Sequence, residues 1–351
     1  MTTREQLWVW AGIIVAALLC LWLVADILLP FVLGAAIAYF LDPLADRLER
    51  LGLSRFLATL IILVTAGLTV LLMLLLLLPP LIEQAAGFLS KVPGYIAYLR
   101  ELAQSQGEKW FGDLAARSPQ RFDETLTQVT QKAASFVGQI ATSLLSGGLA
   151  FVNFAALFLV TPVVAFYLLL DWDRMVQSVD KWLPRRQAPT IRGLAAEMNE
   201  VISGFVRGQF TVLMILTVFY IVALSLLGLN FGLLIGLGAG LISFIPYVGP
   251  LAGFLIGGTV AVVQHWPEWW PILAVLGVFV TGQLVEGNVL SPMIVGDRVK
   301  LHPVWLMFAL FVFGYLFGFV GMLIAVPMAA VIGVLVRFGL KTYQESAVYD
   351  G

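Results

Sequence analysis

The sequence predicts an all-α integral membrane protein with about eight transmembrane helices, some of them broken or re-entrant in the C-terminal half, and a small amphipathic helical extramembrane segment. Two observations carry this. The 351 residues are 60% hydrophobic and only 12% charged, against about 45–50% and about 25% in a soluble domain. The apolar residues also gather into charge-free runs at 7–25, 56–82, 133–170, 208–267 and 301–336, with a further run at 269–296 interrupted only by Glu286. A helix crossing the hydrocarbon core needs about 20 such residues, so the longest runs hold two or three passes or broken helices. A net charge of −1 provides no basic field for nucleic acid. One cysteine, Cys20, allows no intramolecular disulfide, and two histidines, His265 and His302, supply no zinc ligand set. With no HExxH, GxSxG or Walker motif in the chain, no enzyme, cofactor or metal centre is expected.

The elements follow in chain order. The first run, LWVWAGIIVAALLCLWLVA, is too long and too rich in Trp for a signal-peptide core and reads as an uncleaved span. Asp26 and Pro30 separate it from a second segment, Phe31 to Leu41, that ends at Asp42-Pro43. With the 56–82 run, residues 1–82 hold about three spans. Arg47, Arg50 and Arg55 follow the second span, and Arg174, Lys181, Arg185, Arg186 and Arg192 fill 171–206. Short loops rich in Lys and Arg face the cytoplasm, which places the N-terminus inside and 83–146 outside. In 83–146, Phe88, Val92, Tyr95, Ile96, Leu99 and Leu102 recur at helical spacing among polar residues, the pattern of amphipathic helices. Residues 147–170 form a fourth span and 171–206 a shorter amphipathic cytoplasmic loop. Residues 207–337 form a C-terminal unit, followed by a cytoplasmic tail at 338–351. Within it, 301–336 is either one long span or a hairpin turning near Phe317-Gly318-Phe319.

Helix breaks mark that unit. Pro246, Gly249 and Pro250 stand in the middle of the 208–267 run, where lipid cannot satisfy a backbone group freed by proline. This makes 244–250 the leading candidate for a re-entrant or discontinuous helix. Gly318, Gly321 and Pro327 interrupt 317–327 in a related way. Tyr247-Val248-Gly249-Pro250-Leu251 and Phe319-Val320-Gly321-Met322-Leu323 share aromatic-Val-Gly-x-Leu, a faint internal repeat. Paired Gly/Pro-interrupted segments are the pattern of secondary transporters, whose sites lie at half-helix ends near mid-membrane.

Glu286 is the one acidic residue between Glu268 and Asp297; Gln283 lies one turn before it on the same face, and Asn288 follows. A carboxylate within a span is costly and marks a functional site by default. Glu286, Gln283 and Asn288 are therefore the candidates for contacting a substrate or a coupling ion. The alternative is an interfacial Glu286 paired with Arg298 or Lys300.

Several segments together carry a resemblance: PFVLGAAIAYFLDPLADRLER, LVTPVVAFYLLLDWDRM, GFVRGQF, GLLIGLGAGLISFIPYVGPLAGFLIG, and VEGNVLSPMIVGDRVKLHPVWLMFALFVFGYLFGFVGMLIAVPMAA. In this order the chain resembles the AI-2E family, the autoinducer-2 exporter-like or PerM-like permeases of bacteria, over nearly its whole length. The family pattern falls on Pro246, Gly249, Pro250, Glu286, Asn288, Pro292, Gly296, His302, Pro303, Gly318, Gly321 and Pro327. The resemblance implies a homo-oligomeric permease of the bacterial inner membrane, moving by an elevator-like or rocking motion. It would export a small polar molecule such as the quorum-sensing signal autoinducer-2. From the residues themselves, the site is expected between the breaks at 244–250 and 317–327 and the Gln283/Glu286/Asn288 face. A Na⁺(Li⁺)/H⁺ antiporter and a non-transporting membrane scaffold are the rival readings.

Overall fold

Helix is the regular structure throughout residues 27–111, 148–245, 248–295 and 302–345, which, with 23–24 and 128, are those described by a computed structural model. The helices are α1 (Leu29–Arg50), α2 (Arg55–Phe111), α3 (Gly148–Trp182), α4 (Ala188–Leu226), α5 (Gly232–Ile242), α6 (Val248–His265), α7 (Trp269–Val285), a π-helical segment (Glu286–Val295) and α8 (Pro303–Gln344). Six helices among the described residues are long and apolar enough to cross a membrane, and α5 is a shorter apolar helix. The chain is an all-α, multi-pass membrane protein. Cys20, Asp26, Pro246, Gly296, Arg298 and Lys300 lie outside the described residues, as does the first apolar run at 7–22.

Lipid explains the outer surface. Only 6% of the apolar window of α2 is buried, and Leu68, Leu72, Leu75 and Leu76 are more than half exposed. That face is stable only in a solvent as apolar as itself.

Several helices run past the ends that proline and charge suggest. α1 continues through Pro43 to Arg50 and closes at Gly52, whose φ of 96° places the Leu53 N–H on the Leu48 carbonyl. On both sides of Pro43 its face is fastened from outside the helix: Asp42, Asp46 and Glu49 all bind Arg55 at 2.6, 2.8 and 2.9 Å, and the Arg55 Nε–H donates to the Leu169 carbonyl. α2 continues through Pro79, Pro80 and Pro93, so residues 83–111 prolong it. In 171–206, α3 reaches Trp182 and α4 starts at Ala188, leaving a link of 183–187. Arg192 grips Asp180 through two hydrogen bonds across that link, holding the Asp180 carboxyl below the usual carboxylate range.

The residues divide into two units, each described by itself. The first comprises 1–67, 155–211 and 290–351, the second 68–154 and 212–289. In the first, Ala38, Leu41 and Ala45 of α1 meet Ile62 of α2 and Leu169 of α3, and Val201 of α4 meets Ala330 and Val334 of α8. α8 is a hairpin. At Gly318 the backbone leaves the helix (φ 58°, ψ −136°), and a Cβ at Gly321 would collide with the Phe313 carbonyl. In a straight helix residues eight apart stand about 12 Å from each other; here they touch, so the chain reverses at Gly318, the turn position the sequence left open. Its first arm starts at His302, whose Nδ1 accepts from the Val304 N–H.

The second unit contains the other hairpin. α5 has 11 residues, about 16 Å of helix and half of a membrane core of about 30 Å. α6 folds back on it: a Cβ at Gly249 would strike the Ala239 carbonyl and the Ser243 amide, and one at Gly253 would strike Ala239. The glycines of this stretch are seats for neighbours. Phe279 of α7 enters between Gly253 and Gly257, Tyr220 of α4 covers Gly282, and Thr217 covers Gly240.

Candidate functional site

In the second unit, three polar side chains from two helices end in buried oxygens without a hydrogen-bond partner: Thr217 Oγ1 and Tyr220 OH on α4, and Glu286 Oε2 at the start of the π-helix. Thr217 and Tyr220 are three residues apart, on one face of α4. The Tyr220 ring is held at 5.2 Å from the Phe279 ring and lies over Gly282, four residues before Glu286. That seat exists because residue 282 has no side chain; it brings the Tyr220 hydroxyl within electrostatic reach of the Glu286 carboxylate.

Glu286 is where α7 changes character. The next ten residues, EGNVLSPMIV, are π-helical, a rare form concentrated at functional sites. Wider turns loosen the backbone ladder around Pro292 and alter which residues share a face. Gln283 stays on the Glu286 side and is half-buried, as Glu286 is. Asn288 is exposed, and its amide donates to the Leu284 carbonyl at 2.9 Å. Glu286 is thus brought together with Tyr220, while Thr217, one turn before Tyr220 on α4, lies against Gly240 and Asn288 is bonded along its own helix. Among the described residues no group of His, Cys, Asp or Glu has the makings of a metal centre.

The predicted hinge residues fall at the two hairpins. Gly249 and Pro250 are buried just after the α5–α6 turn, and Pro246 lies outside the described residues. Gly318 is the α8 turn, Gly321 is the contact point of its arms, and Pro327 is half-buried in the second arm. The aromatic-Val-Gly-x-Leu repeat has a structural basis. In each hairpin its glycine follows the turn and meets a backbone carbonyl of the opposite arm, that of Ala239 for Gly249 and of Phe313 for Gly321. The α8 hairpin belongs to the first unit and the α5–α6 hairpin to the second.

The AI-2E family transporter pattern matches residues 12–341. The chain belongs to the AI-2E transporter family. YrrI of Bacillus subtilis, which carries the name of a transport protein, is 28% identical over 332 residues, covering 92% of this chain and 90% of its own length. PerM of Escherichia coli, which carries the name of a permease, is 28% identical over 331 residues, covering 93% and 91%. A second Bacillus subtilis relative, YueF, also named for transport, is 26% identical and covers 88% of this chain. The match spans both hairpins and the π-helix, so this AI-2E protein is a membrane transporter along its full matched length.

An outer support for the α5–α6 hairpin was not anticipated from the sequence. Gln84, on the part of α2 beyond its apolar run, accepts the Leu234 N–H at 3.1 Å, one of the amides a helix start leaves unpaired. Phe88 meets Phe231 edge-to-face at 5.5 Å, and Lys91 sits 5.5 Å from the same ring. The same end is tied to α6 by Gln264, which accepts from the Asn230 amide and donates to the Gly228 carbonyl. Gln84→Leu is expected to remove the cap, costing about 1 kcal/mol; faster hydrogen exchange at the α5 N-terminus, with α7 unchanged, is the measurement that checks it.

Proposed function

We propose that this AI-2E protein is a secondary transporter of the bacterial plasma membrane that exports a small polar organic molecule such as autoinducer-2, driven by an ion gradient. In this reading the N-terminus is cytoplasmic, the protein works as a homo-oligomer, and Glu286 exchanges a proton or contacts the substrate's hydroxyls. The observation that carries the reading is the Glu286 carboxylate oxygen, buried without a partner at the start of a π-helix in an apolar span. A carboxylate kept there without a fixed counter-charge is costly unless protonation or a ligand relieves it. Thr217 and Tyr220 add two hydroxyls that donate or accept as a polar substrate requires. Gln283, on the same face, serves as a further substrate contact, while the hairpin glycines allow the arms to move against their neighbours. The family and its relatives support transport; the substrate and the coupling belong to this proposal.

Uptake of labelled autoinducer-2 into inverted membrane vesicles, with and without an imposed proton gradient, tests it. The wild type is expected to accumulate label only with the gradient, and Glu286→Gln to lose at least about tenfold of that rate, an effect of about 1.4 kcal/mol. Normal gradient-driven uptake by a correctly inserted Glu286→Gln protein removes Glu286 from the mechanism. Absence of uptake by the wild type removes this substrate.

A further inference from the structure

A second polar site lies in the first unit, lined by α4 and by Ile294 near the end of the π-helix. Glu200, Ser203, Gly204, Arg207, Gly208 and Thr211 recur at three- and four-residue spacing along one stripe of α4 and line a cleft of about 400 Å³, with Ile294 as its apolar wall. That volume is in the range of small-ligand sites. The stripe carries one cation and one anion, and neither Arg207 nor Glu200 has an ion-pair partner among the described residues. They are seven residues apart, about 10 Å along the axis, on the same face.

The polar groups between them are ordered. Arg207 Nε donates to the Ser203 carbonyl at 3.1 Å, which fixes the guanidinium along the helix and leaves its terminal amino groups for a ligand. Thr211 donates to the Arg207 carbonyl at 2.9 Å and Ser203 to the Glu200 carbonyl at 3.3 Å, so each hydroxyl oxygen keeps capacity to accept. Arg207 is also the last charge before 208–226, a charge-free stretch whose length of about 28 Å matches the hydrocarbon core. Arg207 therefore stands at the headgroup level, and Glu200 further out in the polar layer.

We propose that this cleft is a receptor for a zwitterion with an inner phosphate and an outer ammonium, the chemistry of a phosphoethanolamine group. Arg207 takes the phosphate and Glu200 the ammonium. The order of charges along α4 matches that of a phosphatidylethanolamine headgroup, whose phosphate lies next to the glycerol; Glu200 disfavours purely anionic lipids by repulsion. The same group on a soluble molecule would satisfy the cleft equally. The proposal goes beyond the transport reading and is tested by binding alone, so the two fail independently.

The test uses the full chain, delipidated in a maltoside detergent, with thermal unfolding followed by tryptophan fluorescence. Dihexanoyl phosphatidylethanolamine, dihexanoyl phosphatidylglycerol and free O-phosphoethanolamine are titrated separately. The wild type is expected to bind phosphatidylethanolamine at least about tenfold more tightly than phosphatidylglycerol, the size of one charge-assisted contact. Glu200→Gln erases that preference, and Arg207→Gln weakens both lipids by about tenfold or more. Glu200 is exposed, so its variant folds and carries the test even where Arg207→Gln does not. Binding of phosphatidylethanolamine without O-phosphoethanolamine identifies the lipid as the source; equal binding of O-phosphoethanolamine identifies a soluble one. Equal affinity of the wild type for the two lipids, or a preference that survives Glu200→Gln, overturns the proposal.

Discussion

Replacing Arg55 with alanine is expected to lower the thermal midpoint of the detergent-solubilised protein by several degrees and to cut its yield. Arg55 is 17% exposed and binds Asp42, Asp46 and Glu49, with the Leu169 carbonyl as a fourth acceptor. Its removal leaves three carboxylates on one face of α1, unpaired and repelling one another, beside a carbonyl that has lost a donor. Breaking a buried charge pair costs about 3–5 kcal/mol. The carboxylates are 37–46% exposed, so water screens part of that, and about 3 kcal/mol is expected. Arg55→Lys recovers only part, because an ammonium cannot present a planar fork to three partners and a carbonyl together. The sharper signature is a change of sign. Asp46→Asn should destabilise the wild type yet stabilise Arg55→Ala, where Asp46 is only a source of repulsion; a thermal-unfolding double-mutant cycle reads both.

The other large effect is expected at the hairpin glycines. Gly321→Ala directs a methyl group at the Phe313 carbonyl, and Gly249→Ala directs one at the Ala239 carbonyl and the Ser243 amide. Backbone does not rotate aside as a side chain does, so each hairpin must open or distort, at about 3 kcal/mol or more. Gly318→Ala costs about 1–3 kcal/mol for a different reason, a φ of 58° with ψ of −136° that side-chain-bearing residues avoid. Gly277→Ala on α7 is the internal control. Nothing lies within 4 Å of the added methyl, and a helix gains about 1 kcal/mol when alanine replaces glycine. Thermal midpoints should therefore fall for Gly249, Gly318 and Gly321 and hold or rise for Gly277. Equal losses at all four positions would contradict the hairpin geometry.

Much of this architecture is legible in the chain because lipid imposes a simple rule: long charge-free runs must be helices. The repeat around Gly249 and Gly321 is legible because a tight helical reversal has few chemical solutions. Helix ends were less so. Pro43 suggests an interruption, yet α1 passes through it; the Arg55 cluster on either side of Pro43 supplies the fastening, and those contacts are invisible locally. Glu286 stood out as a lone acid. Its neighbour Tyr220 did not, because a hydroxyl is ordinary in a span and only the seat at Gly282 gives it its place. Asn288 is two residues from Glu286, about 200° round an α-helix, and its amide donates to the Leu284 carbonyl, so the two do not share a face.

Proton movement during substrate flux tests the central claim most directly. Purified wild-type protein in liposomes loaded with a pH-sensitive dye, given autoinducer-2 on one side and no other gradient, should produce a pH change inside that scales with substrate moved. Glu286→Gln in matched liposomes should produce none. Substrate flux without any pH change in the wild type, or an undiminished pH change in Glu286→Gln, would contradict proton coupling through Glu286.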